Sequence, residues 1–470
     1  MTDGFAVVWL VVATLAGVLV TPQRFRPSVL LFGSYTFLAL WSLPGLGVLC
    51  CVTAIAYLSG RAVEAQRSSL VTGVCIGATL LPLCLLRFMA PGASGLGVVA
   101  GGEGVSGLLL PFGLSFFTLQ AVGYVLDVRL SRIPAERRCT PLALYLAFFP
   151  KLLAGPIERA SAFIPQLPSI RFPRDREIVR AGKCILLGLF AKYVLADALA
   201  RVGAELSQDE NAGGAIVALS CLAYSYEIYL DFFGYSIIAI GVGRLLGLEL
   251  SDNFRTPYAA RSLQEFWRRW HMTLSFWFRD YVYKPLGGSR TSESKRWVVV
   301  MLVFLFSGLW HGQAATFLVW GGLHGALYLI GTSTLGPRRR AWEALGLLRA
   351  PTVHRLLQTA VVFLAATVAW VFFRSPNVSE ALNILSRATG FASGDYLGLG
   401  GVGGQSVFLA LGLLLAVAIL DASRFLEVFP QRTASSNLGW VGELVALDAM
   451  LLALLLFGSG GGQSFIYFSF

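Results

Sequence analysis

The chain has 470 residues, of which 56% are hydrophobic and 13% are charged. Soluble domains carry roughly 25% charged residues, so this composition excludes an ordinary soluble protein and predicts one integral membrane domain over residues 1–470. The net charge of +11 comes from Lys and Arg in short loops between apolar segments, which is typical of a membrane protein with basic cytoplasmic loops and not of a nucleic-acid-binding protein.

The first apolar segments alternate with loops of different charge. Arginines follow the first, third and fifth segments, at Arg24, Arg61 and Arg129, whereas the Gly-rich loop 91–104 has no Lys or Arg. Because Lys and Arg mark the cytoplasmic side, the amino terminus is predicted to lie outside the cytoplasm. These segments are 5–20, 29–43, 46–58, 70–89 and 106–126.

The crossings continue to the carboxy terminus. Segment 142–153 is an exception, because a crossing needs about 20 residues, and we expect it to re-enter the membrane or lie in the interface. The pattern predicts an all-α polytopic integral membrane protein with about 11–12 transmembrane helices. The sequence shows no internal repeat of the kind that many transporters have. The later spans are 184–199, 215–250, an out-and-back pair in 297–331, 356–373, 408–420 and 444–457.

Three of the four histidines, His271, His311 and His324, lie in one window of the sequence. Their spacing matches no metal signature, so no metal site is expected. His324 follows His311 by 13 residues. On one continuous helix it would point away from His311, and we expect a structural or supporting role for it.

His311 lies inside a pair of apolar segments, in LFSGLWHGQAATF. An ionisable residue at membrane depth is costly and usually functional. Its ordinary pKa near 6.5 suits removal of a proton from a hydroxyl, so we interpret His311 as a general base; a buried structural histidine is the alternative. Gly308 and Gly312, four residues apart, predict close approach of two helix backbones.

Residues 264–283, placed on one helix, have a basic side and a tryptophan-rich side, with His271 at the border. A helix that lies in the headgroup region has such sides, and anchoring alone would explain the arginines. The functional interpretation is that the basic residues bind an anionic donor such as a CoA phosphate through charge-assisted hydrogen bonds. The candidates for donor binding are Arg268, Arg269, Arg279 and Lys284.

Two aspartates are the acidic candidates for a supporting role. Asp231 lies among aromatic residues in YSYEIYLDFFGYS, and Asp280 lies in FRDYVYK. Each could orient a histidine or pair with an arginine, and an ordinary ion pair would explain either one equally well.

The segment RRWHMTLSFWFRDYVYKPLGG, followed by SGLWHG, resembles the membrane-bound O-acyltransferase family, and in particular the bacterial branch that O-acetylates alginate and related polysaccharides. The similarity extends from about residue 110 to the end. In DFFGYSIIA the chain lacks a second aspartate that the branch has near Ile237, which leaves the role of Asp231 open. Further matching stretches are FFPKLLAGPIERASAFIPQL, NFRTPY, WVFFRSPNVSEAL and the terminal FIYFSF.

The resemblance implies a ring of tilted helices with re-entrant or interfacial helices around a central tunnel. It implies acyl transfer with His311 as the essential residue, His271 beside it and Trp310 in a supporting role. The catalytic core would then span 106–332, between amino-terminal spans in 1–105 and carboxy-terminal spans in 333–470. Direct transfer with a histidine base needs fewer assumptions than a covalent acyl-histidine.

The resemblance also implies a location, a donor and partners. The protein would lie in a bacterial inner membrane, multi-pass, with its amino terminus in the periplasm. Acetyl-CoA would be the cytoplasmic donor substrate, with no bound cofactor, and a periplasmic partner of the SGNH-hydrolase type would deliver the acetyl group to the polysaccharide. The sequence itself contains no serine-hydrolase elbow. Two alternatives are D-alanyl transfer to teichoic acid from a carrier protein and, in another class, a transporter or flippase of acyl or glycan intermediates.

Overall fold

The computed structural model describes residues 2–88, 113–208, 211–390, 402–431 and 437–458. In these ranges every regular element is a helix and no strand occurs, which confirms the all-α prediction. The Gly-rich loop 91–104 and the terminal FIYFSF lie outside the described residues.

The chain forms two compact units. The first contains the chain up to Gly188 together with Tyr235–Asp252. Its apolar core includes Phe117, Tyr124 and Phe148, all fully buried. Its longer helices are Thr2–Val20, Arg26–Trp41, Leu43–Gln66, Ser69–Phe88, Leu114–Arg129, Cys139–Ala147 and Asp175–Leu189.

The second unit contains Leu189–Gly234 and the chain that follows Asp252. Helix Gly214–Leu245 is divided between the two units, and a π-helical turn, Phe190–Ala196, precedes Asp197–Gln208. The predicted domain boundaries near residues 105 and 332 stay predictions. The other longer helices of this unit are Glu293–His311, Ala315–Ser333, Leu335–Ala344, Pro351–Arg374, Val378–Ala388, Gly404–Ala422 and Asn437–Phe457.

Seven helices in the described ranges are long and apolar enough to cross a membrane. Their exposed side chains are largely apolar, as at Leu81, Leu364 and Leu455, which is expected of surfaces that face lipid. The protein is therefore a multi-pass membrane protein, while the higher number of crossings and the tunnel stay predictions. The seven candidate spans are Leu43–Gln66, Ser69–Arg87, Gly214–Leu245, Ala315–Ser333, Pro351–Arg374, Gly404–Ala422 and Trp440–Phe457.

Candidate active site

The chain around His271 is not one helix. Helix Leu263–Trp267 ends before the histidine and Met272–Phe278 begins after it. His271 itself has φ 40° and ψ 54°, in the left-handed region. The single helix predicted for 264–283 is therefore wrong, since this break reorients the second half. A non-glycine residue in that region costs about 1–3 kcal/mol and persists only where its surroundings hold it.

The segment that begins at Asn253 holds this break in place. The Met272 N–H donates to Asn253 O at 2.9 Å, and the Arg255 N–H donates to Arg269 O at 2.9 Å. The side-chain oxygen of Asn253 lies 3.0 Å from His271 Nδ1. Both side chains are buried, and burial lowers the pKa of His271 to about 3, so its imidazole is neutral near pH 7.

His311 is the last residue of helix Glu293–His311, and aromatic rings surround it. Its ring centroid lies 4.7 Å from that of Trp310, 5.0 Å from Trp320 and 5.3 Å from Phe373, all in edge-to-face geometry. Its side chain is 6% exposed, compared with 0% for His271. The imidazole therefore meets mainly the π-systems of its neighbours.

Trp310 brings the two histidines into one neighbourhood. Its ring centroid lies 4.7 Å from that of His311 and 6.2 Å from that of His271. Both distances are in the range over which aromatic rings interact. The ring centroid of Phe232 lies 4.7 Å from that of His271. Two buried histidines 40 positions apart in the sequence thus pack against one half-buried indole ring.

Glycines allow the helix that carries His311 to approach its neighbour closely. A Cβ atom added at Gly308 would lie 2.3 Å from Phe317 O, and one added at Gly312 would lie 1.9 Å from Phe317 Cε2. The prediction of close packing from these two glycines is confirmed. The same contact places Trp320, on helix Ala315–Ser333, against His311.

His324 lies on helix Ala315–Ser333, four residues after Trp320, and aromatic rings from several helices surround it. Its ring is parallel to that of Phe266 at 6.1 Å and edge-to-face with Trp267 at 5.0 Å and Trp320 at 5.1 Å. Neither ring nitrogen has a hydrogen-bond partner in the part of the chain that the structure describes. Because the chain turns between residues 311 and 315, His324 and His311 both contact Trp320, which a single helix would not allow.

Known proteins resemble this chain over most of its length. The sequence model of the membrane-bound O-acyltransferase family matches residues 140–372, which include all three histidines. The probable alginate O-acetylase AlgI from Azotobacter vinelandii is 33% identical over 389 residues, which cover 80% of this chain and 74% of that protein. The chain belongs to the membrane-bound O-acyltransferase family. It is an acyltransferase, and the resemblance seen in the sequence is confirmed.

Other relatives in the membrane-bound O-acyltransferase family differ in what their names say they modify. A peptidoglycan O-acetyltransferase from Helicobacter pylori is 34% identical over 60% of this chain and 57% of its own. A teichoic acid D-alanyltransferase from Streptococcus thermophilus is 31% identical over 50% of this chain and 60% of its own. The O-acetylating relatives thus match more of the chain than the D-alanylating one does.

The predicted acidic residues are both engaged in ion pairs. Lys192 Nζ lies 2.5 Å from Asp231 Oδ1 and 3.0 Å from Asp197 Oδ1, and all three side chains are buried. Asp280 Oδ1 lies 2.9 Å from Arg279 Nε and 2.8 Å from Lys284 Nζ. Burial opposes ionisation of Asp280, but the hydrogen bonds from these two cations outweigh it and lower the pKa of Asp280 to about 2.

The predicted donor-binding cations differ in how far they are already neutralised. Arg269 pairs with Glu265 at 2.6 Å, and Arg279 and Lys284 share Asp280. Arg268 is exposed and has no ion-pair partner within the described ranges. Arg268 is therefore the most accessible of the four to an anionic ligand.

Sequence reasoning missed Asn253, Lys192 and Trp320. Lys192 had a usable signal, because a lysine inside the apolar segment 184–199 needs a buried carboxylate partner. Asn253 begins the family-like stretch NFRTPY, but local pattern does not predict its contact with His271, which lies 18 residues later beyond a break. Predicting that Trp320 contacts His311 would have required knowledge of the turn after His311.

Proposed function

We propose that this acyltransferase moves an acetyl group from cytoplasmic acetyl-CoA toward hydroxyls of a cell-surface polysaccharide. The observation that carries the proposal is that the buried residues His271 and His311 both pack against Trp310. One imidazole is held by an amide and the other by aromatic rings, in a chain whose matched relatives include O-acetylases.

In this proposal His311 is the general base. Its ring removes the proton from the attacking hydroxyl as the hydroxyl oxygen bonds to the thioester carbonyl carbon. The carbon–sulfur bond then breaks, and the imidazolium returns the proton to the departing thiolate. The rings of Trp310, Trp320 and Phe373, whose centroids lie 4.7–5.3 Å from that of His311, are close enough to favour the transient imidazolium by cation–π attraction. His271, kept neutral by burial, contributes hydrogen bonding rather than charge.

The donor would bind through basic side chains. Arg268, Arg269, Arg279 and Lys284 lie on the stretch just before and after His271, in a part of the sequence whose loops are rich in Lys and Arg. Phosphate oxygens of CoA can compete with the shared partner Asp280 for the exposed side chains of Arg279 and Lys284, because ion pairs at a surface contribute only about 0–1 kcal/mol. The donor is thus a substrate, and the proposal includes no bound cofactor and no metal.

The charge pattern supports an inner-membrane protein with a periplasmic amino terminus, because basic loops favour the cytoplasm. An acetyl group that leaves CoA inside the cell must then reach an acceptor outside it. A periplasmic protein of the SGNH-hydrolase type is the proposed intermediary between this membrane enzyme and the polysaccharide.

The test is the mass of the group added to purified surface polysaccharide, in cells with the wild-type chain and with His311→Ala. We expect acetyl groups in the wild type and their loss, by at least about 100-fold, when the general base is removed. The matched control is His354→Ala, because His354 contacts Trp342 away from the site. That variant should leave the polysaccharide acetylated.

Three results would contradict the proposal. Acetylation that survives His311→Ala would exclude His311 as the base. Addition of D-alanine instead of acetate would favour the teichoic acid reaction, which a relative matching half of this chain carries in its name. Absence of label transfer from radiolabelled acetyl-CoA in wild-type membranes would exclude CoA as the donor.

A further inference from the structure

Several donors meet at one oxygen beside His271. Asn253 Oδ1 lies 2.9 Å from Thr273 Oγ1, 3.4 Å from Thr273 N and 3.0 Å from His271 Nδ1. A backbone N–H can only donate, so the side-chain atom that it faces must be the carbonyl oxygen of Asn253 and not the amide nitrogen. The Thr273 main chain therefore fixes the orientation of the Asn253 amide.

An acceptor at this position requires a proton on His271 Nδ1. A neutral imidazole carries one proton, which leaves the lone pair on Nε2. We infer that Asn253 is a positioning residue that holds His271 in the Nδ1–H tautomer, with Nε2 as the nitrogen that accepts a hydrogen bond. This inference rests on the proposed acyl transfer at the histidine pair. It gives His271 Nε2 a specific role in that reaction, as a hydrogen-bond acceptor.

The main chain of Asn253 reinforces the same arrangement. Its carbonyl accepts from the Met272 N–H at 2.9 Å, so three consecutive residues, 271 to 273, are each bonded to Asn253. These hydrogen bonds hold His271 at φ 40°, a backbone conformation that a histidine without such support would avoid. Asn253 thus sets both the backbone conformation and the tautomer.

The Nδ1–H tautomer matters because Nε2 lies on the far side of the ring from Asn253. With its lone pair there, His271 can accept a hydrogen bond from a second hydroxyl or an N–H of the acceptor and so orient the acceptor, while the single proton of the attacking hydroxyl goes to His311. In the opposite tautomer Nε2 would present its own proton to that second donor group. Asn253 acts through His271 and does not itself touch the reacting atoms.

The kinetic test compares Asn253→Leu, which removes the acceptor at similar volume, with Asn253→Asp, which keeps one. In membranes supplied with labelled acetyl-CoA, Asn253→Leu should lower kcat by about 10- to 100-fold, the range for loss of a histidine-orienting partner, with KM for acetyl-CoA unchanged. Asn253→Asp should recover most of that loss. The matched control, Gln264→Leu, removes an amide that donates to Tyr328 O and should leave kcat unchanged.

A spectroscopic test does not depend on how any Asn253 variant folds. The wild-type protein is labelled with imidazole-¹⁵N histidine, and among its four histidines the signals of His271 are identified by their loss in His271→Gln. We expect a protonated Nδ1 and an unprotonated Nε2. A proton on Nε2 instead, or full kcat in a folded Asn253→Leu protein, would overturn the inference. If wild-type membranes transfer no acetyl group, the proposed function fails, while the ¹⁵N result still decides the tautomer.

Discussion

Different groups surround the two buried histidines. The His311 ring packs in edge-to-face geometry with Trp310, Trp320 and Phe373, whereas His271 is hydrogen-bonded to an amide oxygen. Aromatic faces attract a cation, and an amide acceptor with full burial favours a neutral ring of defined tautomer. The two side chains are therefore suited to different tasks, which explains how one reaction could use both.

At Arg268 we predict an effect on donor binding. Arg268→Gln should raise KM for acetyl-CoA about fivefold and leave kcat unchanged. This change in KM corresponds to the loss of one exposed charge contact of about 1 kcal/mol. Arg279→Gln should have a smaller effect, because Arg279 is already bonded to Asp280. Initial rates of label transfer from acetyl-CoA measure both. A larger effect at Arg279 than at Arg268 would place the donor elsewhere.

At His324 we predict tolerance of an apolar ring. His324→Phe should keep activity within about tenfold and thermal stability within a few degrees, because replacing a buried polar group that forms no hydrogen bond with an apolar one of similar shape is nearly neutral. The measurements are acetyl transfer and a melting curve in detergent. The parallel variant His311→Phe should lose activity, because it removes the proposed base. Complete loss of activity in a folded His324→Phe protein as well would assign His324 a chemical role.

At the scale of elements, the antiparallel pair Glu293–His311 and Ala315–Ser333 positions the site. Gly308 and Gly321 allow the two backbones to touch, since a Cβ added at Gly321 would lie 2.4 Å from Phe304 O. The short turn between the helices then returns the chain so that Trp320 meets His311. The sequence LFSGLWHGQAATF indicated close packing at Gly308 and Gly312 but not which aromatic ring would then contact His311.

Gly321→Ala should destabilise this pair. The added methyl group meets a backbone carbonyl that cannot rotate away, so the helices must separate, at a cost of about 1–3 kcal/mol for overpacking. Gly322→Ala is the matched control, because the nearest atom to its new Cβ is Leu305 Cδ2 at 3.9 Å, an ordinary contact. Melting temperatures in the same detergent compare them, and an equal Tm for the two variants would contradict the close approach.

At the scale of the whole molecule, loop charge predicts orientation. Basic residues cluster in 338–349, whereas the loop after Gln208 carries acidic residues. We expect alkaline phosphatase, which is active only in the periplasm, to be active when fused after Gln208 and inactive when fused after Gly346. Green fluorescent protein at the same two positions should give the opposite pattern. The reverse result at both positions would invert the proposed topology and place the arginines outside.

Composition and periodicity were sufficient for the class of protein. Apolar segments of membrane-spanning length and short basic loops indicated an all-α membrane protein, because lipid leaves a chain few ways to satisfy its backbone groups. The family and its enzyme class were indicated by the resemblance carried by the segments around His271 and His311. Those signals are local or depend only on length and charge. The sequence also singled out His271, His311 and His324.

Only the tertiary structure decided what surrounds each of these histidines. Asn253 meets His271 across 18 residues, Trp310 joins His271 to His311, and the turn after His311 brings Trp320 between His311 and His324. The left-handed conformation of His271 interrupts the single helix that the sequence pattern predicted over 264–283. Such features depend on hydrogen bonds and ring contacts between distant segments, and periodicity along one segment contains no information about them.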